Sequence, residues 1–207
     1  MIKKNFITFE GIDCSGKSTQ AKILVKEIIR NKKKAFLTRE PGGSFGGEQI
    51  RELLVKGKKD RWSPETEILL FSAARRDHCE KIIIPKLKKN ITVVSDRFYD
   101  STRVYQGIKS TKLKKIVEDL HDLIIPIKPF LTFIIDVDPK IAFKRMENQG
   151  SDERRFENLG INFQKKVREG FKKLSHSNPQ RFILLNGNRK VDEISEEIFK
   201  IYNERCL

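Results

Sequence analysis

The sequence is poor in the residues that build metal centres and disulfide frameworks. Its three cysteines, Cys14, Cys79 and Cys206, are an odd number at spacings that match no zinc-ligand pattern. They read as reduced thiols in a cytosolic protein and imply no structural metal. Long apolar runs are also missing: none approaches the roughly 18 residues a membrane span needs, and the opening MIKKNFITFE passes straight into a strand pattern without a secretory hydrophobic segment. A cytoplasmic protein without a membrane partner is the expectation. Internal repeats, linkers rich in Pro, Gly and Ser, and low-complexity tracts beyond short lysine runs are absent too. This leaves a single domain over residues 1–207, a length at which folding buries roughly 70% of the unfolded surface.

Acid is scarce relative to base, with 28 Asp and Glu against 43 Lys and Arg, a net charge of +15 and a pI near 9.8. Such a balance attracts polyanions or phosphorylated small molecules. The lysines are spread along the whole chain, so the reading is a solvated basic surface and no nucleic-acid partner.

Five apolar strand-like runs are present, at Phe6 to Phe9, Ala35 to Leu37, Ile91 to Val94, Leu131 to Ile135 and Phe182 to Leu185, with helical patterns between them. The alternation predicts an α/β fold, a parallel sheet covered by helices on both faces. Ala21, Leu24, Val25, Ile28 and Ile29 form one apolar helical stripe, and Val191, Ile194, Ile198 and Ile201 another. Ser63 followed by Pro64, Glu65 and Glu67 is a helix-start signal, predicting a helix that carries Phe71 and Arg75. The polar stretch NQGSDERRFENLG, Asn148 to Gly160, breaks the rhythm and reads as a short lid.

GIDCSGKS, Gly11 to Ser18, fits the phosphate-loop pattern G-x-x-x-x-G-K-[S/T] between the first strand and the first helical stripe. Its glycines let backbone amides turn inward around phosphate oxygens, the helix start adds partial positive charge, Lys17 reaches the outer phosphates and Ser18 can ligate magnesium. Residues Gly11, Ile12, Asp13, Cys14, Ser15, Gly16, Lys17, Ser18 and Thr19 are thus the candidate nucleoside-triphosphate site, an ATP site in the resemblance described below. The loop alone leaves GTPase, transport ATPase, helicase and small-molecule kinase open. No N-K-x-D guanine reader and no ABC-type signature is present. Arg39 ends the second strand run and Arg97 the third. Ligands of open parallel sheets collect outside the carboxyl ends of the strands, so both should converge beside the loop and clamp an acceptor phosphate. His78, His121 and His176 are given no catalytic role, because phosphoryl transfer runs on positioning and charge neutralisation.

FITFEGIDCSGKST, TREPGG, LLFSAARRDH, DRFYDSTRVYQG, FIIDVDP and RRFENLGINFQKKVREGF follow one another from Phe6 towards Tyr202. In this order and spacing the chain resembles the thymidylate kinases, which move a phosphoryl group from ATP to dTMP. The resemblance implies a P-loop kinase fold with a five-stranded parallel sheet, magnesium with ATP as donor, and a homodimer formed by helix packing. It implies that Phe71 and Arg75, on one helix face, bind thymine; that Thr102 and Gln106 contact its edge near Ser101; and that Tyr105 packs under the sugar. Asp13 would hold the 3′-hydroxyl, Arg97 the acceptor phosphate, and Asp96 would organise either magnesium or Arg97. Arg103 and Val104 depart from the commoner pattern of that segment. Glu40-Pro41 stands where the family tends to have a cis proline. The phosphate loop has no arginine of its own, and DERRFE resembles the variant in which a lid arginine completes the site. That alignment picks Arg155, with Arg154 as a solvated neighbour; with Lys17 and Arg97, Arg155 makes up the candidate catalytic set. The competing readings are a related kinase for dUMP, dCMP or a nucleoside, and a basic nucleic-acid-associated NTPase suggested by net charge alone.

Overall fold

The computed structural model describes residues 2–58, 60–147 and 160–206. Five strands, β1 (Ile2–Glu10), β2 (Ala35–Arg39), β3 (Thr92–Asp96), β4 (Lys128–Asp136) and β5 (Phe182–Asn186), form one parallel sheet in the order β2-β3-β1-β4-β5. Each contains or overlaps one of the apolar runs seen in the sequence. The helices are α1 (Lys17–Arg30), α2 (Phe45–Val55), α3 (Pro64–His78), α4 (Ile84–Lys88), α5 (Tyr99–Tyr105), α6 (Thr111–Ile124), α7 (Pro139–Glu147), α8 (Ile161–Ser177) and α9 (Val191–Cys206). One π-helical turn, Cys79–Ile83, joins α3 to α4.

β1 is central, so its alternating side chains must be covered on both faces. Ile7 packs into a cluster with Leu24 and Ile28 of α1, Phe171 of α8 and Ile194 and Ile198 of α9. Phe6 points the other way, meeting the Phe98 ring edge-on at 5.0 Å within a second cluster that includes Ile83, Leu87 and Val93. The helical stripes are narrower than the sequence predicts: Ile29 is 53% and Val191 48% exposed. Ile29 lies about 100° round the helix from buried Ile28, and Val191 is the first residue of α9. The Ser63 signal is realised, its side chain accepting from the Thr66 amide at the start of α3.

The sheet also decides where a ligand can sit. In register, Phe9 of β1 and Arg39 of β2 both face Asp96 of β3. The chain leaves β1 towards β2 and leaves β3 towards β4 on the other side of β1. Connections that depart in opposite directions leave a crevice at the carboxyl ends of those strands. Of the proposed lid, residues 148–159, with Arg154 and Arg155, lie outside the described residues; Gly160 precedes α8.

Candidate active site

The phosphate loop connects β1 to α1. Gly11 has φ 138°, and a Cβ there would stand 2.6 Å from the carbonyl oxygen of Ile135. Gly16 caps α1 at φ 102° with no side-chain bond, and the first turn of α1 carries no acid. The amide donors and the positive end of the helix dipole therefore remain open to an anion. Ile12 contributes backbone only, since its side chain is buried in the core. Lys17 is itself only 5% exposed and curls back to donate to Ile12 O at 2.5 Å and Ser15 Oγ at 3.5 Å. Burial, and then the Arg97 guanidinium, push its ammonium down to about 8. A cavity of about 1020 Å³ opens over this loop, and Arg39, Asp96, Arg97, Arg145 and Arg189 also line it.

Ser18 Oγ donates to Asp96 Oδ2. The other oxygen of that carboxylate, Oδ1, is buried without a hydrogen-bond partner. A hydroxyl beside a half-satisfied carboxylate is an oxygen donor set suited to a hard divalent cation that keeps waters and phosphate oxygens as its remaining ligands. The residues fit magnesium. Among the described residues no cluster of three or more His, Cys, Asp or Glu could hold a metal by itself.

Arg97, which follows β3, adopts φ 67°, a left-handed conformation that a non-glycine residue holds at a cost of about 1–3 kcal/mol. Its amide donates to Phe9 O at 2.9 Å, and Nη1 donates to Gly11 O at 3.0 Å and Ser101 Oγ at 2.9 Å. Nη2 pairs with Asp13 Oδ1 at 2.5 Å, while the guanidinium lies 5.1 Å from the Tyr105 ring centre. Asp13 Oδ2 accepts from the Tyr105 hydroxyl and from Gln164 Nε2, each at 3.1 Å. Burial would raise the Asp13 carboxyl, but Arg97 and then Lys17 hold it below its ordinary value. Behind them sits Glu10, fully buried, accepting from Phe98 N at 2.8 Å and Ser101 Oγ at 2.5 Å. Burial and the nearby Asp100 carboxylate push Glu10 upward.

A smaller cavity of about 210 Å³ adjoins, lined by Phe71, Arg75, Thr102, Tyr105 and Gln106 with Pro41 and Val55. Arg75 is 4% exposed; its Nε donates to Glu40 Oε2 at 2.6 Å and its Nη2 to Thr102 Oγ1 at 2.9 Å. Gln106 Nε2 donates to Glu67 Oε2 at 3.4 Å. The Glu40-Pro41 bond is cis, and Gly42 and Gly43 follow it at φ 120° and 85°.

Of the predicted residues, Arg155 lies outside the described residues and Gly11 and Ile12 belong to the loop without lining a cavity; the others line two adjoining cavities, with a few differences. Arg39 reaches the large cavity but is exposed and paired with Glu48 Oε2 at 3.0 Å. The carboxylate on Arg97 is Asp13, while Asp96 takes Ser18. Arg51, Arg145, Arg189, Glu10, Glu40 and Gln164 were not predicted. Arg189 follows β5 in LNGNRK, so the strand-end rule that found Arg39 and Arg97 would have found it. Arg51 and Arg145 sit inside helices and carry no local signal; Arg145 donates to Ser15 O at 3.3 Å and Gly187 O at 3.2 Å.

Comparison with known proteins gives the family. A family model described as thymidylate kinase matches residues 9–198. A thymidylate kinase from Dinoroseobacter shibae is 50% identical over 192 residues, covering 93% of this chain and 93% of that protein. One from Ruegeria pomeroyi is 46% identical over 196 residues, covering 95% and 93%. The crystal structure of thymidylate kinase from Ehrlichia chaffeensis superposes with a TM-score of 0.76 at 35% identity, covering 98% of each chain. With its motifs, its parallel sheet and this extent of similarity, the chain belongs to the thymidylate kinase family, enzymes that phosphorylate dTMP to dTDP.

Proposed function

We propose that this chain transfers the γ-phosphoryl group of ATP to dTMP, with Mg²⁺, in the two adjoining cavities. The observation that carries the reading is their shared wall: Asp13, Glu40, Arg51 and Arg97 line both. A nucleotide whose base fills the small cavity and whose phosphate points at that wall meets the end of a triphosphate threaded through the loop. Alignment of two bound reactants supplies much of the acceleration in such a transfer.

In this reading the amides of residues 11–19 and Lys17 hold the donor phosphates. Arg97 neutralises the acceptor phosphate, assisted by Arg39 and Arg51. Ser18 and Asp96 would hold Mg²⁺, which supplies charge neutralisation on the donor phosphates when bound. Phe71 stacks on the thymine, Arg75 donates to a base carbonyl, and Thr102 and Gln106 border the base edge. Asp13 accepts from the 3′-hydroxyl beside Tyr105 and Ser101. Arg155, picked from the sequence motif, is the cation that completes the transfer site. A homodimer accords with the exposure of Phe45 (84%), Leu69 (56%) and Leu123 (79%) on α2, α3 and α6. One domain working in the cytoplasm completes the reading; no helix of the described residues is long and apolar enough to cross a membrane.

Purified protein given ATP, Mg²⁺ and dTMP should release ADP and form dTDP with no nucleic acid present. ATP turnover that requires DNA and ignores dTMP would contradict the proposal.

A further inference from the structure

His78 is the last residue of α3, fully buried, and does not line either cavity. Nothing in phosphoryl transfer calls for it. Its ring nonetheless occupies a defined position behind Arg75. His78 Nδ1 lies 3.1 Å from Glu40 Oε1, and Nε2 lies 2.7 Å from Thr38 Oγ1. A carboxylate only accepts, so Nδ1 donates to Glu40, and Nε2 shares a second hydrogen bond with the Thr38 hydroxyl. Glu40 is 5% exposed, and its carboxylate is gripped from two sides, Oε1 by His78 and Oε2 by Arg75 Nε at 2.6 Å.

Arg75 and His78 stand three apart on α3 and so share a face. That spacing lets one helix hold both oxygens of a single carboxylate delivered by the end of β2. With Nε and Nη2 of Arg75 engaged by Glu40 and Thr102, Nη1 is the donor left for a ligand in the cavity. The turn after Glu40 is shaped around the same ring: a Cβ on Gly43 would stand 2.4 Å from His78 Nε2 and 2.6 Å from Thr38 Oγ1. The π-helical turn at Cys79–Ile83 begins directly after His78, the kind of local widening that often accompanies functional positions.

We infer that His78 is a positioning residue for base recognition: through Glu40 it fixes the Arg75 guanidinium in the orientation that reads the acceptor base. This rests on the dTMP reading above. A guanidinium held to donate favours a base with a carbonyl at its edge over one with an amino group in that place. Loosening the holder should therefore erode discrimination between dTMP and dCMP, and leave the ATP side untouched.

The test compares His78→Phe with His78→Asn, whose amide N–H can stand where Nδ1–H does. For each variant one measures KM for dTMP, KM for ATP, and the ratio of kcat/KM for dTMP over dCMP. A hydrogen bond to a buried charge is worth at least a factor of roughly ten. His78→Phe should accordingly raise KM for dTMP by about that factor and shrink the dTMP/dCMP ratio similarly, with KM for ATP within about twofold, and His78→Asn should recover most of the loss. An unchanged ratio in a folded His78→Phe enzyme, or an equal rise in KM for ATP, overturns the inference. If His78→Phe does not fold, Thr38→Val carries the test. It removes only the hydroxyl that holds Nε2, and a wild-type ratio in that variant is equally contrary. Wild-type protein that does not turn over dTMP would sink the underlying reading instead. Loss of dTMP use in Arg75→Ala beside a normal His78→Phe would sink this inference alone.

Discussion

On the donor side, the phosphate loop offers a cavity of about 1020 Å³ edged by Lys17, Arg39, Arg145 and Arg189, with an uncapped helix start and a half-satisfied carboxylate on Asp96. On the acceptor side, a cavity of about 210 Å³ is lined by groups already bonded to one another, Arg75 to Glu40 and Thr102, and behind them Glu40 is bonded to His78 and His78 to Thr38. Among the donor-side cations, Arg39 and Arg189 lean on the half-exposed carboxylates of Glu48 and Glu197, while Lys17 and Arg145 donate to neutral oxygens and hold charge whose counter-ion a nucleotide would bring. The acceptor side holds charge that the fold has already paired and oriented. Groups that await an anion govern the transfer step, and groups locked in advance govern which acceptor is admitted.

The comparison can be broken most sharply on the donor side. Arg155→Ala should cut kcat by roughly 10³–10⁵ with little change in dTMP affinity, while Arg154→Ala is mild; steady-state kinetics decide, and equal small effects contradict the assignment. Lys17→Ala should lower kcat by roughly 10²–10³ with an unchanged thermal unfolding curve, and near wild-type turnover at saturating substrates would remove Lys17 from the transfer site. On the acceptor side, Phe71→Ala should weaken dTMP binding by the roughly 1–3 kcal/mol of base–aromatic stacking and leave ATP binding alone. Calorimetric titration with each nucleotide separates the two; unchanged dTMP affinity would take Phe71 out of the base site.

Proton linkage sharpens the same contrast. Lys17 sits at about 8, below its ordinary 10.5, so near pH 9 a large share of it is neutral before nucleotide arrives. Donor phosphates favour the charged form, and ATP binding at that pH should take up a proton. Near pH 7 Lys17 is already protonated and uptake should be small. Titrations in buffers of different ionisation enthalpy measure this, and equal uptake at pH 7 and pH 9 would contradict it. The smallest effect lies outside both regions. His121 stacks on Tyr99 at 3.7 Å with both ring nitrogens buried and unpartnered, and burial, then Arg75 and Lys128, push it down to about 3. As pH falls below 6.5 the unfolded chain takes up this proton first, so the folded state loses stability between pH 6.5 and about 3. His121→Phe should keep the stack, resist acid unfolding better and leave kcat unchanged; an unaltered acid transition would contradict the assignment.

Much of the donor side was legible in the sequence because it is local. The phosphate loop is eight consecutive residues from Gly11 to Ser18; the same locality made the Ser63 cap and, on the acceptor side, the Phe71–Arg75 spacing along one helix legible. The five apolar runs gave the sheet. The acceptor network is non-local, and its chemistry was not readable: Glu40 meets Arg75 and His78 across 35 and 38 residues, a juxtaposition created only when the end of β2 docks on the end of α3. Glu10 reads as an ordinary strand end until burial and its bonds to Phe98 and Ser101 are known. Arg39 was legible by position, but its exposed pairing with Glu48 was not, because that partner comes from α2.

The division between an awaiting donor side and a pre-assembled acceptor side is tested most directly by ADP release from wild-type protein across a panel of nucleoside monophosphates at fixed ATP and Mg²⁺. The account predicts that kcat/KM is highest for dTMP and falls steeply for dCMP, whose amino group meets the Arg75 donor, with no dependence on added DNA. Equal rates for dTMP and dCMP, or release that dTMP does not stimulate, would contradict it.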